Sequence, residues 1–279
     1  MTKKNYNKRA IITQVLMHVY LVVLLFLVLF PFYIMIVNSF KTPTEYYENI
    51  FALPAEWVTG FYKFAWIYVK GYFKNTLIIA VTEVFACVLV NSMAAYGFTR
   101  YNFKGREVLF MMILALMMIP GVLTLIPSYS LVASFGLLGT LLGVMLPQIA
   151  SPFNIYLLRS FFNGLPKELF EAAEIDGASQ VRQYLTLAIP LSKPILFTVG
   201  LSVLMGAWND LVWPRLILLG QEDLYTISVG IMELTGAADT LGMGISLAAY
   251  VLVSIPLVVA FFFTSKQFIS GLTSGAFKM

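Results

Sequence analysis

The sequence predicts an all-α membrane protein with six transmembrane helices and a further short helix in a loop between helices 4 and 5. The first observation is composition: of 279 residues, 59% are hydrophobic and only 11% are charged, whereas a soluble protein carries about a quarter charged residues. The second is a series of six apolar segments, each near the roughly 20 residues that a helix needs to cross the hydrocarbon core. The third is that these segments lack the alternation of barrel strands, which leaves helices as the structure that satisfies its own backbone in lipid.

The predicted spans follow one another along a single membrane domain that comprises residues 1–279. They cover residues 11–37, 75–98, 108–126, 137–158, 190–213 and 245–263. The first apolar run follows Lys8 and Arg9, as in a signal peptide, but it is far longer than the roughly 7–15 residues of a signal core. It is therefore predicted to be a retained span. Proline interrupts several spans and indicates either bends beside a pathway or packing kinks.

An N-terminus on the cytoplasmic side gives the distribution of positive charge that membrane proteins prefer. In this orientation the cytoplasmic segments contain thirteen Lys and Arg residues and the outer segments five, which together account for the 18 in the chain. Lys and Arg are enriched in cytoplasmic loops. Because the number of spans is even, both termini are predicted to be cytoplasmic.

The sequence also excludes several classes of site. Cys87 and His18 are the only cysteine and histidine, so a disulfide framework, a structural zinc cluster and a Ser-His-Asp relay all lack their residues. No GxxxxGK[ST] loop occurs, and ATP hydrolysis by that route therefore requires another polypeptide. The chain is predicted to be non-catalytic, with no metal, cofactor or nucleic acid bound to it.

The loop between the fourth and fifth spans is longer than a connection requires, and residues 166–176 within it predict a helix. Pro166 suits the first helical position, Glu168 the positive N-terminal end and Gly177 a left-handed turn after the C-terminus. One side presents apolar residues at helical spacing and the other presents carboxylates. These residues are Leu165, Leu169, Ala172 and Ala173 or Ile175 on the apolar side, and Glu168, Glu171 and Glu174 on the acidic side.

Small apolar residues beside carboxylates give this helix a compact surface that can enter a groove on another protein. The alternative is an amphipathic helix that lies on lipid headgroups, but such helices favour Lys and Arg on their polar face, and this one is acidic. The sequence therefore favours a docking helix.

Polar side chains within the spans are candidates for a pathway, because a charge in the bilayer is costly and usually functional. Asn209 and Asp210 lie towards the end of the fifth span, Glu83 lies in the second, and Gln148 and Asn154 lie near the prolines of the fourth. One interpretation is a polar cavity that binds sugar hydroxyls through amide and carboxylate groups. The other is hydrogen bonding between packed helices.

Ordered motifs along nearly the whole chain give a more specific indication. Residues 171–173 (EAA), 176–178 (DGA) and 189–191 (IPL) resemble the EAA loop of binding-protein-dependent ABC importers. Motifs that resemble the sugar-importer branch of this family, and within it the maltose-transporter-like second permease, stand at residues 38–41 (NSFK), 94–100 (AAYGFTR), 208–210 (WND), 213–214 (WP) and 271–278 (GLTSGAFK). Arg215 departs from the pattern, which has an apolar residue at this position.

The resemblance implies a permease subunit of an ATP-driven importer of a sugar or oligosaccharide in the bacterial cytoplasmic membrane. The helix at 166–176 would be a coupling helix seated in a dimer of cytoplasmic ABC ATPases, which bind ATP and Mg²⁺. A periplasmic or extracellular binding protein would deliver the substrate to a pathway shared with a second homologous permease. The residues that the resemblance assigns to the ATPase contact are Glu171, Ala172, Ala173, Asp176 and Gly177, with Gly275–Lys278 as a secondary contact.

Two other classes of membrane protein fit the sequence less well. An ion-coupled secondary transporter would show inverted repeats and buried relays of Asp, Glu or His. A single Glu in a span and a single His are too few residues to form such a relay. An intramembrane hydrolase would need a His partner for a serine nucleophile or metal-ligand spacing such as HExxH, and the sequence contains neither.

Overall fold

A computed structural model describes residues 8–236 and 242–276, with side chains described for 11–236 and 242–263. This part of the chain contains helices, turns and loops but no strand, which confirms the predicted all-α class. It divides into two compact units, one formed by Met1–Ile67 with Leu234–Leu252 and the other by Tyr68–Glu233 with Val253–Met279. Each unit is described separately.

The helices fall into long single helices and shorter segments separated by breaks. They are α1 (Lys8–Asn38), α2 (Pro43–Glu48), α3 (Gly60–Arg100), α4 (Arg106–Leu116), α5 (Gly121–Ser134), α6 (Leu141–Met145), α7 (Pro152–Asn163), α8 (Lys167–Ile175), α9 (Gln180–Gln183), α10 (Ile189–Leu191), α11 (Lys193–Asn209), α12 (Val212–Ile217), α13 (Ile227–Gly236) and α14 (Met243–Ala276). A 3₁₀ turn over Leu146–Gln148 continues α6, a π turn over Tyr184–Ala188 joins α9 to α10, and Glu222–Leu224 forms a second 3₁₀ turn.

Three helical segments of the described chain are long and apolar enough to cross a membrane unaided: Ile11–Asn38, Gly60–Arg100 and Met243–Phe263. Three bent pairs also qualify if each counts as one span, which gives up to six. The pairs are α4 with α5 at 101°, Leu141–Gln148 with α7 at 43°, and Gln180–Leu191 with α11 at 79°. Long apolar helices of this kind are what the composition predicts.

The helix that contains the second predicted span begins before that span. α3 begins at Gly60, whereas the sequence prediction began at Asn75 and placed the preceding residues in an outer loop. Lys63, Lys70 and Lys74 indicated the end of the hydrocarbon region. Lysine is a good helix former, so these charges do not end the helix.

The third span is bent rather than straight. The region predicted as one helix over 108–126 forms α4 and α5, and Pro120 stands at the break as the residue before α5. Proline has no backbone N–H and disfavours helical geometry in the residue before it. Pro127, after which an outer loop was predicted, lies inside α5, where its neighbours continue as helix to Ser134.

In the first unit, the motif at residues 38–41 fastens the loop that follows α1. Asn38 Nδ2 donates to the Ile50 carbonyl at 2.9 Å, and Lys41 Nζ donates to the Asn49 carbonyl at 2.7 Å. Both side chains are about 1% exposed. A buried ammonium requires hydrogen-bonding partners, so this lysine stabilises one turn geometry at the end of α2.

The two central residues of the same motif contact the start of α3. The Ser39 and Tyr62 hydroxyls lie 2.7 Å apart, and the Phe40 ring centroid lies 5.0 Å from that of Tyr62 and 5.1 Å from that of Trp57. Aromatic pairs at this separation add to the stability gained from burial alone. The motif is therefore a structural fastening within the first unit.

Acidification is expected to loosen this loop through Glu45. Its carboxylate accepts hydrogen bonds from Ala55 N at 2.8 Å and Thr42 N at 3.0 Å, and these backbone donors hold the pKa of Glu45 below its ordinary value of 4.5. Because the folded pKa is depressed, the stabilisation is complete above pH 4.5 and is lost as pH falls through the lower, folded value.

Amide exchange at Thr42 and Ala55, corrected for intrinsic rates at each pH, measures this loss. Glu45→Gln is expected to be poorly protected at every pH, and Glu48→Gln on the same short helix is expected to keep the pH dependence. An unchanged profile in Glu45→Gln would contradict the assignment.

The second unit contains two buried clusters of apolar residues, at different positions along α3 and α11. The first comprises Ile79, Ala80, Val132, Val144, Met145, Ala207, Trp213, Ile217 and Leu218. The second comprises Ala95, Tyr96, Leu158, Phe162, Phe170, Tyr184, Ala188, Ile195 and Val199. Both helices thus contribute to each cluster, and the stretches of α3 and α11 between the clusters carry polar residues.

Asn91 of α3 closes the break before α7. Its Nδ2 donates to the Ile149 carbonyl at 2.8 Å and to the Cys87 carbonyl of its own helix at 2.6 Å, and its Oδ1 accepts from Ser151 N at 2.9 Å. Asn91 is fully buried. A helix break at membrane depth leaves backbone groups that need other partners, and this amide supplies one donor and one acceptor for them.

Candidate functional site

The predicted docking helix is α8, Lys167–Ile175, one residue shorter at each end than the predicted 166–176. Pro166 is the N-cap, with φ −56° and ψ 124°, and not the first helical residue. A proline here still suits a helix start, because its fixed φ and missing N–H sacrifice no intrahelical bond. Glu168 stands in the first turn, where a carboxylate is favoured by the helix dipole.

The C-terminus of α8 is closed by a Schellman turn around Gly177. Ala178 N donates to the Ala173 carbonyl at 2.9 Å and Gly177 N donates to the Glu174 carbonyl at 3.0 Å, which is the paired pattern of that motif. Gly177 has φ of 75°, and a Cβ added there would meet no atom within 4 Å. Glycine is therefore favoured here by backbone conformation and not by lack of space.

Gly177→Ala is expected to fray the last turn of α8, because a left-handed conformation costs a residue with a Cβ about 1–2 kcal/mol. Gly177→Asn is expected to keep the turn, since asparagine tolerates this region. Protection of the amides of Gly177 and Ala178 against hydrogen exchange is the measurement. Equal protection in both variants would show that the left-handed turn does not determine the end of α8.

The exposed surface of α8, which we call the acidic surface, comprises Glu171, Ala172, Glu174, Asp176 and Gly177, with Ala173 half-buried beside them. All five residues predicted for the ATPase contact therefore lie on one short helix and its C-terminal turn. The predicted apolar side of the helix is largely exposed. Leu169 is 44% exposed and Ile175 is 88% exposed, so neither anchors the helix to the rest of the chain.

The anchor of α8 is Phe170, which the sequence interpretation did not single out. Its side chain is 4% exposed and packs in the second buried cluster. The guanidinium carbon of Arg100, at the end of α3, lies 3.5 Å from the centroid of its ring. The available signal was that Phe170 is the only aromatic residue in a helix otherwise built from small, aliphatic and charged side chains.

Hydrogen bonds from α3 hold the segment that follows α8. The Tyr96 hydroxyl donates to Gln180 Oε1 at 3.1 Å, and the hydroxyls of Ser92 and Tyr184 lie 2.7 Å apart. Tyr184 opens the π turn that leads towards α11. Single π turns inside helical segments occur frequently at functional sites, and this one lies on the chain between the acidic surface and α11.

The five predicted pathway residues line one cavity of about 520 Å³ in the second unit, which we call the polar cavity. Its lining residues are Glu83, Gln148, Ser151, Phe153, Asn154, Ser202, Val203, Gly206, Ala207, Asn209 and Asp210. Sites for small molecules typically measure roughly 300–1,000 Å³. The structure thus brings together residues from three predicted spans that the sequence could not place relative to one another.

The polar groups of the cavity differ in how they are held. Asn209 Nδ2 donates to the Met205 carbonyl of its own helix at 2.8 Å, and Asp210 Oδ1 accepts from Trp213 N, in the first turn of α12, at 3.3 Å. Glu83 is 3% exposed, and within the described residues no hydrogen bond or ion pair reaches its carboxylate. Its carboxyl group is available to form hydrogen bonds with a ligand in the cavity.

Six lining residues were not predicted: Ser151, Phe153, Ser202, Val203, Gly206 and Ala207. Ser151 also accepts from Asn154 N at 3.3 Å as the N-cap of α7. Ser202 lies on α11 between residues of the two buried clusters. Serine is too common in membrane helices to be selected without the neighbours that the fold supplies.

Apolar helices of membrane-spanning length, a polar cavity in the second unit and the short acidic helix α8 are together typical of a membrane transport component. The chain belongs to the family described as binding-protein-dependent transport system inner membrane component, whose model matches residues 87–272. The match includes α8 and the cavity residues from Gln148 onward. The family predicted from the EAA loop is confirmed.

Curated relatives resemble the chain along nearly its whole length. A probable ABC transporter permease protein, YurM of Bacillus subtilis, is 32% identical over 93% of this chain and 87% of its own. The arabinooligosaccharides transport system permease protein AraQ of Halalkalibacterium halodurans is 31% identical over 91% and 92%. The trehalose/maltose transport system permease protein MalG of Thermococcus litoralis is 30% identical over 97% and 99%.

The fold is also that of a solved transporter. A chain from a bacterial ABC transporter involved in the import of the acidic polysaccharide alginate matches with a TM-score of 0.82, covering 95% of this chain and 100% of that chain at 23% identity. The predicted importer-permease fold is thereby confirmed, and the homologues confirm the sugar ABC permease family. The chain is a membrane component of that family.

Proposed function

We propose that this chain is the permease subunit of an ATP-driven importer of a sugar or oligosaccharide. It would form the translocation pathway with a second homologous permease in the bacterial cytoplasmic membrane, with both termini in the cytoplasm. The observation that carries the proposal is α8, whose acidic surface is free while Phe170 is buried in the second cluster. Such a helix is firmly held by its own chain and open to a partner.

In this proposal the partner is a dimer of cytoplasmic ABC ATPases, which binds ATP and Mg²⁺ and seats Glu171, Ala172, Ala173, Asp176 and Gly177. Small residues let the partner approach the backbone closely, and the carboxylates favour a basic rim. Of the secondary contact proposed at Gly275–Lys278, Phe277 and Lys278 lie outside the described residues. This chain itself remains non-catalytic.

On the other side of the membrane, a substrate-binding protein would deliver the solute to the polar cavity. Two of the relatives carry arabinooligosaccharides or trehalose and maltose in their names, which supports a carbohydrate. Amide, hydroxyl and carboxylate groups beside Phe153 are the groups that bind sugar hydroxyls and stack on a sugar face. The pathway role of Glu83, Gln148, Asn154, Asn209 and Asp210 rests on this chemistry.

Co-purification with the ATPase tests the proposal. Glu171→Lys places a cation on the acidic surface and is expected to reduce the ATPase recovered with the permease pair about tenfold or more, as a reversed interface charge does. Glu222→Lys makes the same charge change in an exposed turn elsewhere in the second unit and is expected to leave recovery unchanged. Full assembly and transport by Glu171→Lys would sink the proposed coupling role.

A further inference from the structure

We infer that the polar cavity selects saccharides without acidic groups and rejects uronates and sugar phosphates. The inference rests on the proposed function and adds to it the charge class of the substrate. It follows from the charged groups that line the cavity and from those that do not. Under the proposed function, the cavity is the part of the translocation pathway that this chain contributes.

The lining carries two carboxyl groups, on Glu83 and Asp210, and no Lys, Arg or His among the described residues. Gln148, Asn154 and Asn209 add neutral amides. Glu83 is only 3% exposed, and none of the described residues forms a hydrogen bond with its side chain. A buried carboxyl group without a partner is energetically unfavourable, so it favours a ligand that donates hydrogen bonds to it.

An anionic saccharide meets the opposite situation. Its carboxylate or phosphate would leave water for a cavity that has no cation to compensate it, and would lie beside two acidic groups. Desolvation of an unpaired ion costs several kcal/mol in proteins. A neutral sugar donates hydroxyl protons to Glu83 and Asp210, and an amino sugar adds a cation that pairs with them.

A helix N-terminus opens among the lining residues, because α7 begins at Pro152, between Ser151 and Phe153. Its capacity to hold an anion is low. Pro152 has no N–H, and the N–H of Asn154 already donates to Ser151 Oγ at 3.3 Å. Two of the first three backbone donors of α7 are therefore unavailable, and a helix dipole contributes only about 0.3–1 kcal/mol.

Charged thiol reagents measure the sign of the potential inside the cavity without a known substrate. The full transporter is assembled with Cys87→Ser, which removes the natural thiol, and Ser202→Cys, which places a thiol on the cavity lining. Rates are measured with a trimethylammonium methanethiosulfonate and a sulfonate methanethiosulfonate, each divided by its rate with free mercaptoethanol. Ala52→Cys, exposed in the first unit, is the control position.

At Ser202→Cys the normalised cationic rate is expected to exceed the anionic rate about tenfold, the lower end of what focused fields in clefts produce. At Ala52→Cys the two are expected to be similar. Adding Glu83→Gln and Asp210→Asn is expected to bring the Ser202→Cys ratio close to that control. A cavity that favours the anionic reagent, shows no preference, or does not react at all would overturn the inference.

Protection by β-1,4-linked trisaccharides then tests the substrate class in the same preparation. Trimers of glucose and glucosamine are expected to slow labelling of Ser202→Cys more than a trimer of glucuronate. Equal or stronger protection by the glucuronate trimer would overturn the inference. The ATPase recovered with each preparation keeps the two proposals apart: a complex that retains the ATPase but prefers the anion overturns only the charge selection, whereas a permease without the ATPase overturns the proposed function.

Discussion

Replacing Asn91 with leucine is expected to destabilise the second unit by about 2–6 kcal/mol, because two backbone groups lose their partners and each costs about 1–3 kcal/mol when buried and unpaired. Those groups are the Ile149 carbonyl and the Ser151 N–H. Leucine has the same branching as asparagine but no polar atom, so the change removes hydrogen bonds and creates no cavity. Lipid cannot supply replacements.

The loss of a monodisperse size-exclusion peak after heating in detergent measures this effect, and the midpoint is expected to fall by on the order of 10 °C. Asn209→Leu is the matched control, since that amide is exposed and bonds only a carbonyl of its own helix at 2.8 Å. Exposed substitutions of this type stay within about 0.5 kcal/mol. Similar midpoints for both variants would mean that Asn91 does not support the break.

The family and the short acidic helix α8 were predictable from the sequence because their signals are local. Helix α8 is bounded by Pro166 and Gly177, and its acidic composition distinguishes it from a headgroup-lying helix. Long apolar runs likewise predict membrane helices without reference to any neighbour. Signals of this kind come from residues that are close in sequence, so they do not depend on the tertiary arrangement.

What the sequence could not predict depends on partners distant in the chain. In the sequence, Asn91 is one polar residue in an apolar span. Its role becomes apparent only in the structure, which places the break at residues 149–151 beside it. Phe170 is likewise one more apolar residue in the sequence, and only the structure shows that Arg100 lies over its ring. The bend at Pro120 was visible as a proline, but kinked and straight spans contain proline equally well.

The five cavity residues illustrate the same division. They were candidates for a pathway because they are polar residues within apolar spans. The sequence left open whether they formed a cavity or packed against one another. The structure brings all of them to one cavity, which is lined by Glu83 on α3 and by Asn209 on α11. Position along two packed helices decides this, and one sequence does not contain the relative register of those helices.

Helices α3 and α11 also connect the cavity to the acidic surface. Ile195 and Val199 of α11 belong to the buried cluster that holds Phe170, while Ser202 to Asn209 of the same helix line the cavity. Under the proposed function, a displacement of α8 would act on the end of a helix whose other part forms the cavity wall. Under the proposed function, Phe170 is the side chain through which that displacement enters the bundle.

Truncating Phe170 to alanine is accordingly expected to release α8 and uncouple the transporter. Removal of a buried phenylalanine ring costs about 3–5 kcal/mol, and the stacked Arg100 guanidinium adds about 0.5–2 kcal/mol to the ring's contribution. Because α8 is short, the loss is expected as local detachment of residues 167–175. Amide exchange over these residues should rise by at least tenfold, and transport per ATP hydrolysed should fall with it.

Leu169→Ala is the matched control for the exchange measurement, because it shortens a neighbouring side chain that is 44% exposed and is expected to change protection little. A double-mutant cycle with Phe170→Leu and Arg100→Ala isolates the stacking energy, and an interaction of about 0.5–2 kcal/mol is expected. Arg100→Lys should restore little of it, since lysine lacks the planar group that stacks on a ring. If Phe170→Ala left both exchange and coupling at the levels of Leu169→Ala, the acidic surface would have to be held by contacts other than this ring.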